Sequence, residues 1–409
     1  MSASAAVLGS IVIAIATVIR VYRGGLTLND HAVAAVVTGC VAIYPILWFG
    51  VLAAGVHGPA RAALGLGLAA GAVSIYGLFH VLDGRRDPGA LIGLARFSQL
   101  AYAFSLWTGL LLLLRAPVVL AGGGGLAALC WPGPWLALPL GLAVWGATWT
   151  FWQRDRVRDL PVPLATLYGR ELRVVQLSDL HVGPTMRAAE MERLVAATNA
   201  LSPDLVLITG DLLMPYSERE HGFMLDALAR LQAPCYACPG NHDNPVLETL
   251  KAEMSAIGTP LLVDEAVRLT LRGVEIELVG VAFHWSSARE RLLAVLDALP
   301  PAPGVQARIL MAHDPRLFRW VPEERFDLVL SGHTHGGQVG ADMFGLPVSV
   351  LRPLGVHDQG FWRAGRALLY VHRGNWNTGL PPRMGIASEI ALFRLGAPGE
   401  VRALPARRD

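Results

Sequence analysis

The sequence predicts two structural classes in one chain, a multi-span α-helical membrane domain over residues 1–153 and a layered α/β domain over residues 170–409. Three observations support this division. Five long apolar runs occupy the first part, charged residues become frequent only after Arg154, and short apolar runs alternate with amphipathic segments from about Gly169. Residues 154–169 are therefore predicted to be a linker between the two domains.

The composition reflects the apolar N-terminal part. Hydrophobic residues make up 53% of the 409 residues and charged residues 16%, whereas an average soluble domain has about 25% charged residues. The formal net charge of +2 is too small to indicate a nucleic-acid partner, so none is expected.

The five apolar runs are within or near the ~17–25 residues that a helix needs to cross the hydrocarbon core of a bilayer. They comprise residues 5–22, 32–56, 62–82, 97–114 and 135–151. A cleaved signal peptide is not favoured, because no positively charged start precedes the first run and four more runs follow it. Five buried helices of a soluble protein would need more polar partner surface than the sequence offers. The prediction is a membrane domain.

The arginines around these runs predict its orientation. With five spans, one side carries eight arginines and the other only Arg61 and Arg115. The eight are Arg20, Arg23, Arg85, Arg86, Arg96, Arg154, Arg156 and Arg158. The positive-inside rule places them in the cytoplasm, which predicts an integral protein of the bacterial inner membrane with a cytoplasmic C-terminal domain. Residues 116–131 are interpreted as a loop or re-entrant segment, and a sixth span there would reverse the orientation.

The C-terminal part alternates between short apolar runs and amphipathic segments. Strands are predicted at residues 172–177, 205–209, 234–238, 267–271, 274–281, 308–311, 328–330, 367–371 and 390–395. Helices are predicted at residues 188–200, 223–231, 245–257 and 289–299. This alternation is typical of a layered α/β domain, in which ligands bind at the ends of strands.

Five of the predicted strands are followed by Asp, Asn or His, often beside a glycine. The motifs are Ser178-Asp179-Leu180-His181, Gly210-Asp211, Gly240-Asn241-His242-Asp243, Ala312-His313-Asp314 and Gly332-His333-Thr334-His335. One histidine after a strand is usually structural, but five repeats of one pattern indicate a shared site. In Asp179–His181 and in His333–His335, the i, i+2 spacing directs both groups to one side of an extended segment.

These residue types indicate two divalent cations. Imidazole and oxygen donors, with a carboxylate able to bridge, suit two ions about 3.5–4 Å apart that hold the attacking and leaving oxygens of a phosphoryl displacement. The absence of thiolates from the set argues against a structural zinc cage and favours Mn, Fe, Zn or Mg. Cys235 and Cys238 are predicted to be inert, because positions i and i+3 of a strand point to opposite faces.

In order and spacing the motifs resemble the calcineurin-like metallophosphoesterase superfamily over residues 170–395. The extended motifs Leu177-Ser178-Asp179-Leu180-His181 and Ser331-Gly332-His333-Thr334-His335-Gly336-Gly337-Gln338 resemble its bacterial YkuE-like membrane-associated branch, which the stretch from His372 to Arg383 fits loosely. The resemblance implies a two-sheet αββα domain and two metal ions, with manganese expected.

The resemblance also implies a role for each matching residue. The first metal is expected on Asp179, His181 and His335, the second on Asn241, His313 and His333, and Asp211 is expected to bridge them. His242 is expected to protonate the leaving oxygen or to steady the transition state, with Asp243 orienting its ring. The nucleophile is expected to be a hydroxide held between the metals.

The sequence departs from the family pattern after Val279-Gly280-Val281. Relatives often carry acidic residues there, whereas this chain continues Ala282-Phe283-His284-Trp285. The departure indicates a different substrate mouth and leaves the metal set untouched. His284 is either an extra ligand or phosphate contact, or an ordinary surface histidine.

The leading functional hypothesis is a metal-dependent phosphoric ester hydrolase that cleaves a lipid-linked phosphodiester or pyrophosphate, because membrane attachment would raise the local concentration of a lipid. A UDP-diacylglucosamine pyrophosphohydrolase is one concrete possibility implied by relatives. The apolar loop 343–348, which begins eight residues after His335, either contacts acyl chains or packs on its own domain. The alternatives are a phosphoesterase acting on a soluble or protein substrate and a non-enzymatic membrane scaffold.

Overall fold

The computed structural model describes Gly141 and residues 155–183, 186–214, 221–338, 340–343, 346–349, 351–376, 383 and 385–406. Apart from Gly141, which is helical, the five predicted spans and residues 116–131 lie outside the described residues. Among the residues that are described, no helix is both long and apolar enough to span a bilayer. The chain divides into two compact units, and nearly all described residues belong to the second, residues 149–378 and 383–409.

The described part of the second unit contains strands and α-helices in alternation. The strands are β1 (Arg156–Val162), β2 (Leu172–Leu177), β3 (Leu205–Thr209), β4 (Cys235–Cys238), β5 (Glu265–Leu271), β6 (Val274–Gly280), β7 (Ala307–Met311), β8 (Leu328–Ser331), β9 (Gly340–Met343), β10 (Leu346–Ser349), β11 (Gly360–Ala364), β12 (Ala367–Val371), β13 (Glu389–Leu395) and β14 (Leu404–Pro405). The helices are α1 (Ala188–Ala200), α2 (Gly222–Leu228), α3 (Leu247–Ala256) and α4 (Ala288–Ala298).

The strands form two main sheets and a hairpin. The first sheet has the order β1-β13-β2-β3-β4, and the second has the order β14-β11-β12-β8-β7-β6-β5. Strands β2, β3 and β4 run parallel, as do β6, β7, β8 and β12. The carboxyl ends of parallel strands meet at one edge of a sheet, which is where ligands bind in α/β folds.

Successive side chains of the central strands point to opposite faces of each sheet, one toward the other sheet and the next toward the helices, and this produces the layered fold. On β2, Val174 faces the core between the two sheets and Val175 faces the helices. On β3, Leu207 and Ile208 divide in the same way. Helices α1 to α3 cover the first sheet, and α4 covers the second through side chains such as Leu292. The αββα, two-sheet fold expected for the C-terminal domain is therefore confirmed.

The two cysteines of β4 lie on opposite faces of the first sheet, as predicted. Cys238 belongs to the core between the sheets, and Cys235 belongs to the core beneath the helices. Both are free and buried. Burial raises the pKa of the Cys235 thiol to about 12 and raises that of Cys238 as well, which leaves both thiols protonated.

Several segments differ from the sequence prediction, including β11 and β14, at which no strand is predicted. Residues 156–162 lie within the predicted linker 154–169, but they form β1, which pairs in parallel with β13 along its whole length. Charged side chains and Pro161 obscure the strand pattern there, and both are typical of edge strands. The segment 343–348 was predicted as a loop, yet it contributes to the β9–β10 hairpin, in which Met343 pairs with Leu346.

Candidate metal centre

The five polar motifs follow β2, β3, β4, β7 and β8, all at the carboxyl ends of parallel strands. The fold therefore brings the seven predicted metal ligands together. Asp179, His181 and His335 form one group of converging ligand atoms, and Asp211, His313 and His333 form a second. A third group, His181, Asp211 and His242, also converges, and among the described residues each of the three groups could hold a metal ion.

The first cluster consists of Asp179, His181 and His335, all buried. The Nε2 atoms of His181 and His335 are 3.0 Å apart. Asp179 Oδ1 lies 3.1 Å from Nε2 of His335 and 3.9 Å from Nε2 of His181. Three ligand atoms thus converge on one point among buried side chains.

The second cluster consists of Asp211, His313 and His333, with Asn241 beside them. Nε2 of His313 is 3.2 Å from Asp211 Oδ2. The side-chain oxygen of Asn241 is 2.9 Å from Nδ1 of His333. Imidazole nitrogens with carboxylate and amide oxygens are donors that suit borderline divalent cations.

Asp211 lies between the two clusters. Its Oδ2 is 3.6 Å from Nε2 of His181 and 3.2 Å from Nε2 of His313. Its other oxygen accepts a hydrogen bond of 2.9 Å from the backbone N–H of His242, which fixes the orientation of the carboxylate. Asp211 therefore faces an imidazole nitrogen of each cluster.

The protonation pattern of His313 indicates that a cation fits beside Asp211. Nδ1 of His313 is 2.7 Å from the carbonyl oxygen of Thr209, which only accepts, so Nδ1 carries the proton. In the neutral ring, Nε2 then directs a lone pair toward the Asp211 carboxylate without a hydrogen bond. Without a metal the alternative is an imidazolium, since Asp211 outweighs burial and raises the pKa of His313 to about 10. Either arrangement shows that positive charge is favoured here.

The backbone of the clusters adopts conformations that non-glycine residues rarely adopt. Five of the clustered residues, none of them glycine, have positive φ angles: Asp179, His181, Asp211, His333 and His335. Such conformations are uncommon outside glycine and cluster at functional sites, where the surrounding structure holds them. A side chain at Gly240 would overlap the Asp211 carboxylate, so a glycine is required for this close approach.

The carboxylate of Asp179 also joins the loops after β2 and β8. Its oxygens accept hydrogen bonds from the backbone N–H of His333, at 3.0 and 3.2 Å, and from the hydroxyl of Ser178, at 2.6 Å. Burial opposes ionisation, but the neighbouring His335 outweighs it and lowers the pKa of Asp179. The group is therefore an anion that is already oriented.

His242 lines the site, but Asp243 does not orient it. Nε2 of His242 is 3.8 Å from Asp211 Oδ2, and its Nδ1 has no hydrogen-bond partner within the described structure. The Asp243 carboxylate instead accepts hydrogen bonds from the backbone N–H groups of Leu213, at 3.1 Å, and Gly240, at 2.8 Å. The described structure therefore contains no hydrogen bond from the His242 ring to Asp243, and the expected orienting contact is not observed.

Two supporting residues beyond β12 were not predicted from the sequence. Asn375 accepts a hydrogen bond of 2.8 Å from the backbone N–H of Ser178. The buried guanidinium of Arg383 donates to the carbonyl oxygens of His335, at 3.3 Å, and Trp376, at 2.7 Å. Because β12 lies beside β8 in parallel, its carboxyl end reaches the same edge of the sheet. In the sequence, only the loose family resemblance of the stretch from His372 to Arg383 indicated that these residues could support the site.

An open cleft leads to the clusters. It has a volume of about 270 Å³ and is lined by Asp211, Asn241, His242, His333, Thr334, His335, Gly337, Gln338 and Leu351. His284 does not line this cleft. It borders a separate cavity of about 10 Å³ together with Asp264 and Arg291, so the structure does not place it among the clustered ligands.

The fold and this cluster define a phosphoesterase-type α/β domain, and comparison with known proteins gives the family. A family model described as calcineurin-like phosphoesterase matches residues 172–337. The metallophosphoesterase YkuE of Bacillus subtilis is 30% identical over 233 residues, which cover 54% of this chain and 78% of that relative. The chain belongs to the calcineurin-like metallophosphoesterase family, and the predicted resemblance is confirmed. Membership in this family indicates a phosphoric ester hydrolase.

Two further relatives carry more specific names. A bovine protein named "Transmembrane protein with metallophosphoesterase domain" is 30% identical over 264 residues, 58% of this chain and 56% of that protein. The UDP-2,3-diacylglucosamine pyrophosphatase LpxG of Chlamydia muridarum is 25% identical over 229 residues, 44% of this chain and 68% of that relative. The chain spans less than two thirds, 64%, of the length of a matching Helicobacter pylori metallophosphoesterase.

Proposed function

We propose that this chain is a membrane-anchored phosphoesterase that uses two divalent metal ions to hydrolyse a phosphodiester or pyrophosphate bond, with a lipid-linked substrate. The observation that supports the chemistry best is the position of Asp211. One carboxylate oxygen faces imidazole nitrogens of two clusters at 3.6 and 3.2 Å. A shared carboxylate of this kind is what a pair of closely spaced cations requires.

In this proposal each ion has its own ligands. The first would be held by Asp179, His181 and His335, and the second by Asn241, His313 and His333, with Asp211 shared. Bound there, the two ions would supply an activated water and would stabilise charge on the phosphate. The identity of the metal is open among Mn, Fe, Zn and Mg, and manganese is our expectation.

His242 would act on the leaving oxygen. Its ring lines the cleft, and its side chain is 23% exposed, so a substrate can reach Nε2. Burial lowers the pKa of His242, which favours a neutral ring over a permanent imidazolium. In this proposal the neutral ring carries its proton on Nε2 and donates a hydrogen bond from there. A positioned donor of this type stabilises the alkoxide that develops as the ester bond breaks.

The membrane and lipid parts of the proposal are supported by three separate observations. The N-terminal sequence contains five apolar runs of spanning length. One relative is named a transmembrane protein, and another is named for a lipid-linked pyrophosphate. Within the catalytic unit, β1 begins opposite Glu389, at the end of the sheet that carries the clusters. Attachment to a bilayer would raise the effective concentration of a lipid substrate at the site.

A substrate comparison tests this proposal. Full-length protein in detergent with Mn²⁺ would be assayed on bis(4-nitrophenyl) phosphate, on UDP-2,3-diacylglucosamine and on the soluble UDP-N-acetylglucosamine, each with and without a chelator. We expect chelator-sensitive hydrolysis of the chromogenic diester and higher kcat/KM for the lipid-linked compound than for its soluble analogue. Higher efficiency on the soluble compound would favour the soluble-substrate alternative. No metal-dependent hydrolysis of any of the three would contradict the enzymatic proposal and favour a scaffold.

A further inference from the structure

Phe283 and Trp285 form an aromatic shelf beside the second ligand cluster. Their ring centroids are 4.8 Å apart in an edge-to-face arrangement. Both rings also contact His333, with centroid distances of 5.6 Å for Phe283 and 6.4 Å for Trp285. The shelf therefore directly adjoins a residue that lines the cleft.

The two aromatic residues differ in exposure. Phe283 is buried, at 3%, whereas Trp285 is 45% exposed. The other exposed large hydrophobic side chains in the described part of the chain are Val157 and Tyr168. None of the three side chains lines the cleft itself, but the ring of Trp285 contacts that of His333, which does. Trp285 is the exposed apolar group that lies within reach of the cleft.

The backbone beneath the shelf is fixed. The backbone N–H of Ala282 donates to the Asp264 carboxylate at 2.8 Å. The side-chain amide of Asn244, just after the Asn241 motif, donates to the carbonyl oxygen of Phe283 at 3.3 Å. The shelf is thus tied to the loop that carries Asn241 and His242, and its position relative to the metal ligands is set before a substrate arrives.

The shelf and His242 belong to different sides of the ligand set. His242 groups with His181 and Asp211, and its ring lies 4.9 Å from that of His181. Phe283 instead contacts the rings of His313 and His333 in the other cluster. A phosphate bound across both clusters, with its leaving oxygen toward His242, would therefore have the shelf beside the part of it that lies near His313 and His333.

We propose that the shelf of Phe283 and Trp285 binds the apolar ester group that the phosphate retains after cleavage. This inference rests on the proposed phosphoesterase function and adds a specificity-determining residue, Trp285, to it. The ligand that fits the shelf is an apolar group attached to a phosphate, either a planar ring or an alkyl chain. Either group would gain binding free energy when it is buried against the indole ring of Trp285.

A substrate series with one leaving group tests the shelf. Methyl, butyl and phenyl 4-nitrophenyl phosphates would be assayed with full-length wild-type protein, Trp285→Ala and Trp285→Phe in the presence of Mn²⁺. For Trp285→Ala we expect kcat/KM to fall about 5- to 30-fold on the butyl or phenyl diester, mainly through KM, and less than about twofold on the methyl diester. Trp285→Phe should retain most of the wild-type selectivity. A loss confined to phenyl identifies a ring, and a loss shared with butyl identifies general apolar contact.

A binding measurement and a control variant distinguish failure of the shelf from failure of the proposed enzymatic function. Calorimetric titration with methyl-, butyl- and phenylphosphonate should show the same order of losses without turnover. Tyr168→Ala removes an exposed aromatic ring that does not line the cleft and should change none of these values. Equal losses on all three compounds, or none, would overturn the shelf. An inactive wild-type protein would contradict the proposed function alone, because the titration would still decide the shelf.

Discussion

The motif Gly240-Asn241-His242-Asp243 correctly places Asp243 at the site, but the role that Asp243 has in the structure differs from the predicted one. The sequence places Asp243 next to His242 and suggests that a carboxylate orients an imidazole. The structure uses both Asp243 oxygens for the backbone N–H groups of Leu213 and Gly240. Its physical role is therefore to hold the loop that presents Asn241 and His242.

Asp243→Asn tests this role. The amide retains one acceptor oxygen but turns an N–H₂ group toward the second backbone donor, so we expect about 1–3 kcal/mol less stability toward urea and reduced metal content. Asp226→Asn, at an exposed position on α2, is the control and should match the wild type. Wild-type stability and metal content in Asp243→Asn, with only the pH–rate profile altered, would restore the role of Asp243 as a partner of the His242 ring.

His242→Ala separates a proton donor from a metal ligand. Its Nε2 lies 3.8 Å from Asp211 Oδ2, and His242 also forms a group with His181 and Asp211 that could hold a metal ion, so distance alone does not separate the two roles. We expect turnover of a chromogenic diester to fall about 100- to 10,000-fold, with metal content per chain nearly unchanged. Elemental analysis of the purified variant provides the check. Loss of metal together with activity would show that His242 is a ligand.

At the scale of elements, the buried strands were predictable and the edges were not. Strands β2, β3 and β7 are almost entirely buried and mostly apolar, which makes them recognisable as hydrophobic runs in the sequence. Strand β1 carries Arg156, Arg158 and Asp159 on an edge, and its pairing with β13, more than 200 residues later in the chain, leaves no local signal. Edge strands are specified by partners that are distant in sequence.

The two cysteines of β4 allow their burial on opposite faces of the first sheet to be tested. Because Cys235 and Cys238 are buried on opposite faces, neither should react with iodoacetamide at pH 8 in the native protein. Both should react fully in 6 M urea. Peptide mapping by mass spectrometry distinguishes these two cysteines from Cys40 and Cys130. Rapid native alkylation of either β4 thiol, or a metal bound by both, would contradict the inert-core interpretation.

The site as a whole was largely predictable because its residues follow strands whose common direction the α/β pattern already implies. The distances within the clusters, the positive φ angles and the support from Asn375 and Arg383 depend on tertiary packing, which no local pattern encodes. The membrane domain and its orientation remain predictions, since they concern residues outside the described structure.

Orientation of the whole molecule is tested by reporter fusions. The eight-to-two arginine asymmetry predicts a C-terminus in the cytoplasm. A fluorescent protein fused after Asp409 should therefore mature, and alkaline phosphatase fused at the same position should be inactive. A fusion after Arg61, between the second and third predicted spans, should report the opposite side. Activity of the phosphatase after Asp409 would contradict the five-span topology and favour a sixth span at residues 116–131.

The most direct test of the central claim, that Asp211 joins two cation sites, is the metal content of full-length protein purified with Mn²⁺. We expect two ions per chain in the wild type. Asp211→Asn should hold one or none and should lose more activity than the ~10–100-fold typical of changing an outer-shell partner. An unchanged urea unfolding midpoint for the metal-free forms would show that the fold persists. Two retained ions with near-normal turnover in Asp211→Asn would contradict the account.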